Sequence, residues 1–229
     1  MATLSAVNAL PDAFFDGVVG LSKRYHWNPL HPLMVMDSES ELEPAVQNPN
    51  SGATGLIQFM PFILANFGTS PEEFRTFSAV EQLPYVAQFF AGKTLPTAGS
   101  FYLATFLPGL LDHANEPDFV LGIAPGQPGA DDLILPGRAD LTFGQIYNSN
   151  SVFDKARKGY IEVADMQRRT DEVLTRPSWP AIQARVEAAA KRGGMWPLPT
   201  ERPPVPWKYI VTGTFVGGAL YALHHLVTK

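Results

Sequence analysis

With 229 residues, 45% of them hydrophobic and 17% charged, the chain can bury one sizeable core and hardly two. A formal net charge of −5 argues against nucleic acid as a partner, because phosphates call for a basic surface. The lack of cysteine excludes disulfides and thiolate metal sites.

Residues 1–11 lack a basic start followed by an apolar core, so no secretory signal is expected. Asp12 precedes Phe14, Phe15, Val18, Val19, Leu21 and Tyr25, a spacing that predicts a core helix capped by Asp12. Gly17 and Gly20 inside it cost helical stability, and a close helix crossing would account for them. A second helix restarts near Pro32, whose missing N–H is harmless in a first turn. Leu33, Met34, Val35 and Met36 follow almost without a polar break, so this helix should be buried all round. It carries Glu39 to its C-terminal end, and Pro44 is expected to stop it.

Asn48-Pro49-Asn50-Ser51-Gly52 is turn chemistry, and Gly52 and Gly55 permit backbone angles or close approaches that a side chain would block. Helices are predicted from Pro61 to Phe67, with Gly68 as terminator, and from two capping boxes, Ser70 with Glu73 and Ser78 with Glu81. Residues 98–107 read as an apolar helix. Residues 124–138, dense in proline and glycine, read as a long loop, either a functional flap or an inert excursion. Helices resume over 141–147, 161–174 and 180–191.

Asp154 to Asp165 has the frame of a calcium loop, with acid first, Gly159 sixth, Ile161 eighth and acid last. Ala156 and Lys158 stand where two ligands belong, so an ordinary turn is the better reading and no metal is assigned. Residues 193–206 are a proline-rich tether. Residues 209–227 then run nineteen positions without an acid, lysine or arginine, with Trp207, Lys208, Tyr209 and Lys229 as interfacial residues. That pattern predicts a transmembrane anchor over 207–229, a partner-binding or buried helix being the alternative.

Glu39 is the candidate catalytic acid. A carboxyl can hand a proton to a glycosidic oxygen near neutral pH only if an apolar setting raises its pKa, and the preceding run offers one. The bland alternative is a solvated acid at a helix end. Asp37, Glu41 and Glu43 are poor second acids: the first two lie two positions from Glu39 and face other ways on a helix, and Glu43 at i+4 would be a like-charge neighbour.

Glu39-Ser40 followed by Gly52-Ala53-Thr54-Gly55-Leu56-Ile57-Gln58-Phe59-Met60-Pro61 resembles the goose-type-lysozyme-like lytic transglycosylases, the SLT family, which cut peptidoglycan glycan strands. The resemblance covers residues 39–61 and weakens outward. It implies a mainly α, lysozyme-like domain with a minimal hairpin over 1–192, joined by the 193–206 linker to the anchor. It also implies that one acid suffices: Glu39 protonates the leaving oxygen, then acts as base on the muramic acid C6 hydroxyl, leaving a 1,6-anhydro end without consuming water. No cofactor is implied.

By the same resemblance, Gln58 would contact sugar through its amide and Met60 would form an apolar platform, hairpin packing being the alternative for both. Ser51 is one possible counterpart of a serine that bonds the acid in the family. Tyr102 falls near a tyrosine that relatives place beside the acid, although Ala104-Thr105-Phe106-Leu107 departs from the usual Ala-Tyr-Asn-Ala-Gly, so core packing stays open for it. The expected partners are glycan strands, a membrane through the C-terminal helix, and other virion proteins. A C-terminal anchor without an export signal would leave the enzyme inside a cell, away from its substrate, and carriage in a phage virion during genome entry resolves this. Two other functions fit: a muramidase that hydrolyses the same bond, and a structural or channel protein of the injection apparatus that only binds glycan.

Overall fold

The computed structural model describes residues 3–134 and 141–194; the predicted anchor, and the predicted tether from residue 195 on, lie outside them. The described chain is mainly helical with one small two-stranded antiparallel sheet. Its helices are α1 (Leu4–Ala9), α2 (Asp12–Tyr25), α3 (Leu30–Ser40), α4 (Pro61–Asn66), α5 (Pro71–Phe74), α6 (Ala79–Phe90), α7 (Ala98–Phe106), α8 (Phe143–Asn150), α9 (Val163–Asp171) and α10 (Trp179–Arg192). Strand β1 (Val120–Ile123) precedes α8, and β2 (Tyr160–Glu162) leads directly into α9. Among the described helices, none is long and apolar enough to cross a membrane.

Several predicted helix starts have the expected chemistry. Ser78 and Glu81 form a reciprocal capping box at α6. At α5 only half of one forms: Ser70 accepts from the Glu73 amide, while Glu73 turns to the Thr69 hydroxyl at 3.0 Å. Asp12 does not cap α2. It is the first helical residue and instead meets Arg185 of α10 at 2.7 Å. Pro44 does not end α3 either. The helix stops at Ser40 because Glu41 and Leu42 adopt left-handed backbone, with φ of 58° and 64°, and their amides close on Asp37 and Met36 carbonyls.

The 161–174 prediction merged three elements. Residues 160–162 form β2, paired with β1 through Val120 to Glu162, Gly122 to Ile161 and Ile123 to Tyr160, with an irregularity between the first two pairs. α9 follows, and residues 172–175 tighten into a 3₁₀ turn.

α7 is the centre of the packing, lying against both α3 and α9. Its approach to α9 is close because Gly99 has no side chain: a Cβ there would lie 2.8 Å from Gln167 Oε1 and 3.0 Å from the Gln167 Cα. Gln167 also accepts the Gly99 amide at 2.8 Å. Gly194, just after α10, makes a similar close contact with α2, since a Cβ on it would come within 2.7 Å of Val19 Cγ1 and 2.9 Å of the Gly20 amide nitrogen.

Candidate active site

α3 is buried from Pro32 to Ser40, so Glu39 is carried beneath the surface at 2% exposure. A solvated acid at a helix end was the bland alternative. The observed withdrawal from water is far greater, because the chain turns sharply at Glu41 and packs Leu42 into the core.

Ser40 joins this turn to the glycine-bearing loop. Its hydroxyl lies 2.9 Å from the Leu56 carbonyl and 3.0 Å from the Met36 carbonyl. The loop is a minimal hairpin: Thr54 and Phe59 exchange two backbone bonds of 2.9 Å, and Gln47 bridges Thr54. Phe59 anchors it from below, meeting Phe67, Phe74 and Phe89 edge-on at 5.5–5.6 Å between ring centres. Gln82 of α6 stitches the same loop from the side. Its Oε1 accepts the Leu56 amide at 2.9 Å, and its Nε2 donates to the Pro44 carbonyl at 2.8 Å. Gly55 must be glycine here, since its φ is +85° and a Cβ would come within 2.6 Å of both Gln82 Oε1 and Phe74.

The predicted site residues do not all converge. Tyr102 of α7, wholly buried, faces Glu39. Gln58 is also buried, but its left-handed backbone turns the amide inward, where it donates to Gly55 at 3.0 Å and Val46 at 3.4 Å. The structure thus places Gln58 as a brace of the hairpin. The Ser51 hydroxyl accepts the Ala53 amide at 3.2 Å within its own turn. Met60, half-buried, stands just before α4.

Arg169 was not foreseen. It comes from α9, about 130 positions beyond the acid, and no local motif marks it. One Nη reaches toward the Ser38 carbonyl at 3.5 Å, the long limit of a hydrogen bond, and its guanidinium acts on both Tyr102 and Glu39. Glu39 Oε1, Tyr102 Oη and Arg169 Nε are all buried without a hydrogen bond of full geometry, although Tyr102 stands close enough to Glu39 and to Arg169 to act on both. Buried polar atoms left unpaired are costly, and a cluster of them beside one acid is a mark of a functional site.

The electrostatics follow from this packing. Burial pushes the Glu39 carboxyl above its ordinary range, while the Tyr102 hydroxyl and the Arg169 cation pull it partly back. Burial, and next the Glu39 charge, raise the Tyr102 phenol well above its usual value. Arg169 stays cationic: burial works against its charge, but Tyr102 and Glu39 outweigh that. Asp37, two positions before the acid, is spoken for by Arg176, whose Nη1 lies 2.5 Å from its carboxylate and 2.8 Å from its carbonyl.

The calcium-like frame is filled internally. Asp154 accepts the Lys158 and Gly159 amides, each at 2.7 Å, and the Tyr147 hydroxyl at 2.9 Å. The Lys158 ammonium pairs with Glu162 and approaches Asp165 at 3.5 Å. Among the described residues, no cluster of three or more acids and histidines could hold a metal ion. An open cavity of about 510 Å³ lies along α9, lined by residues such as Pro117, Gln167, Arg168 and Asp171, and none of the predicted site residues borders it. Scans against protein-family models, curated proteins and solved structures found no match to this chain.

Proposed function

We propose that the chain is a peptidoglycan lytic transglycosylase of lysozyme-like architecture, in which Glu39 alone supplies acid and base. The observation that carries this reading is the burial of Glu39 against Tyr102, at the end of a core helix locked by Ser40 to a glycine-bearing hairpin. A carboxyl in that setting holds its proton toward neutral pH, as a general acid must. The proton passes to the oxygen linking muramic acid C1 to the next sugar, and the C1–O bond breaks. The carboxylate left behind takes the proton of the muramic acid C6 hydroxyl as that oxygen bonds to C1. Atoms balance without water, so no second carboxylate is required to activate one, in contrast to most glycosidases.

In the closed arrangement described, Glu39 is covered, so a glycan reaches it only after neighbouring side chains move, and opening belongs to the catalytic cycle. The test is digestion of purified peptidoglycan by the wild-type chain and by Glu39→Gln. Wild type should release fragments with anhydro ends, and the variant should be slower by roughly 10²–10⁴. Fragments heavier by one water per cut would assign a muramidase instead, and equal clearing by both chains would leave the acid idle. Carriage in a virion and anchoring by residues 207–229 remain part of the proposal, resting on the sequence pattern alone.

A further inference from the structure

We propose that Arg169 is a positioning residue for Glu39, placed to hold its carboxylate in the interval between giving one proton away and taking another. The inference rests on the acid-base reading of Glu39 and adds a residue that no motif marks.

A lone acid must visit both protonation states within one turnover. Apolar burial favours only the neutral one, and an isolated carboxylate in such a place resists forming. Proton donation would then stall at its product. A fixed cation alongside removes that obstacle while the same burial keeps the resting acid protonated.

The packing singles out Arg169 for this task. α3 lies against α7, α9 and the turn at 172–175. From α7 the titratable group is Tyr102, which stays neutral. On α9, Asp165 is held by Arg168 and Lys158, Arg168 by Asp165 and the Phe153 carbonyl, and Asp171 by Gln167. Glu172 of the turn pairs with Lys155 and its charge also favours the Arg169 cation, while Arg176 just beyond it holds Asp37. Arg169, on a helix packed against α3 and with its guanidinium beside the Ser38 carbonyl next to the acid, is the charge that draws the Glu39 carboxyl back down. Its Nε, Glu39 Oε1 and the Tyr102 hydroxyl are buried without a hydrogen bond of full geometry, and Tyr102 acts on both of the others, so the three groups can tighten on one another when the acid ionises. The single long approach to the Ser38 carbonyl leaves the guanidinium directed at the turn that bears the acid. Arg169 acts on the reaction through Glu39.

The test compares Arg169→Gln, which removes the charge but keeps a donor, with Arg169→Lys, which keeps the charge. The Glu39 titration is followed directly by carbon NMR of the carboxyl in the full chain, alongside the pH dependence of kcat and KM on peptidoglycan. Arg169→Gln should move the Glu39 titration upward by about one pH unit or more and lower kcat about 10–100-fold, with KM little changed. Arg169→Lys should restore most of both. An unmoved titration in Arg169→Gln overturns the inference. So does a loss of activity that Arg169→Lys shares in full while its titration matches wild type. If wild type releases no glycan fragments, the proposed function fails, and the titration still decides whether Arg169 governs the ionisation of Glu39. Should Arg169→Gln not fold, Arg169→Met read against Arg169→Lys gives the same comparison.

Discussion

At Glu39 the cost of burial falls on the charged form, and this gives a sign that can be checked without any substrate. The folded carboxyl titrates above its ordinary value of 4.5. Below that value the folded and unfolded acids are both neutral and burial costs little. As pH rises through the folded titration, the unfolded acid ionises freely while the folded one cannot, and stability is lost. Glu39→Gln should therefore be more stable than wild type by about 1–2 kcal/mol near neutral pH, with the difference shrinking on acidification. Thermal melts of both chains across pH 4–8 check this, and a difference independent of pH would contradict it. Residue by residue, the site was unevenly legible. Glu39 could be read because an apolar run and a nearby glycine motif are local signals. The inward turn of Gln58 depends on a φ of 52° that no side-chain pattern announces. Arg169 meets the acid only through the packing of α3, α7 and α9.

At the level of elements, two contacts hold the acid-bearing turn. Gly99 allows α7 to close on α9, and so sets Tyr102 near Arg169. Gly99→Ala would press its methyl against the Gln167 backbone, which cannot move aside as a flexible side-chain end could. The expected cost is about 1–3 kcal/mol by denaturant melting, with loss of the proposed lytic activity beyond the loss of folded protein. A neutral outcome would mean that the helices separate freely. Arg176 ties the same turn to the last third of the chain, and Asp37 is fully buried. Arg176→Met should destabilise by about 3–5 kcal/mol, the usual consequence of removing one member of a buried ion pair. A loss under 1 kcal/mol would show that the pair is dispensable.

Helix starts such as Ser78 with Glu81 were readable because capping is local chemistry. The strands were not, since β1 and β2 have four and three residues and become strands only by finding each other across the chain. The end of α3 was misread for a related reason: two non-glycine residues in left-handed backbone stop it before Pro44 can.

For the whole molecule, the N-terminal motif and the C-terminal third form one unit, because both arginines that reach the acid-bearing turn lie beyond residue 160. The calcium-like frame belongs to that same third, with Lys158 supplying its own cation to Glu162 and Asp165. Lys158→Met should lower stability by about 1 kcal/mol, whereas chelator or added calcium should leave the wild-type melting temperature unchanged. A chelator-dependent melt would contradict that account. The mainly helical class was legible from periodicity, while the anchor predicted for 207–229 lies outside the described residues.

The most direct test of the central claim is the mass of the fragments released from purified peptidoglycan by the wild-type chain and by Glu39→Gln. The account predicts anhydro ends from wild type and almost none from the variant. Fragments carrying an added water, or equal release by the two chains, would contradict it.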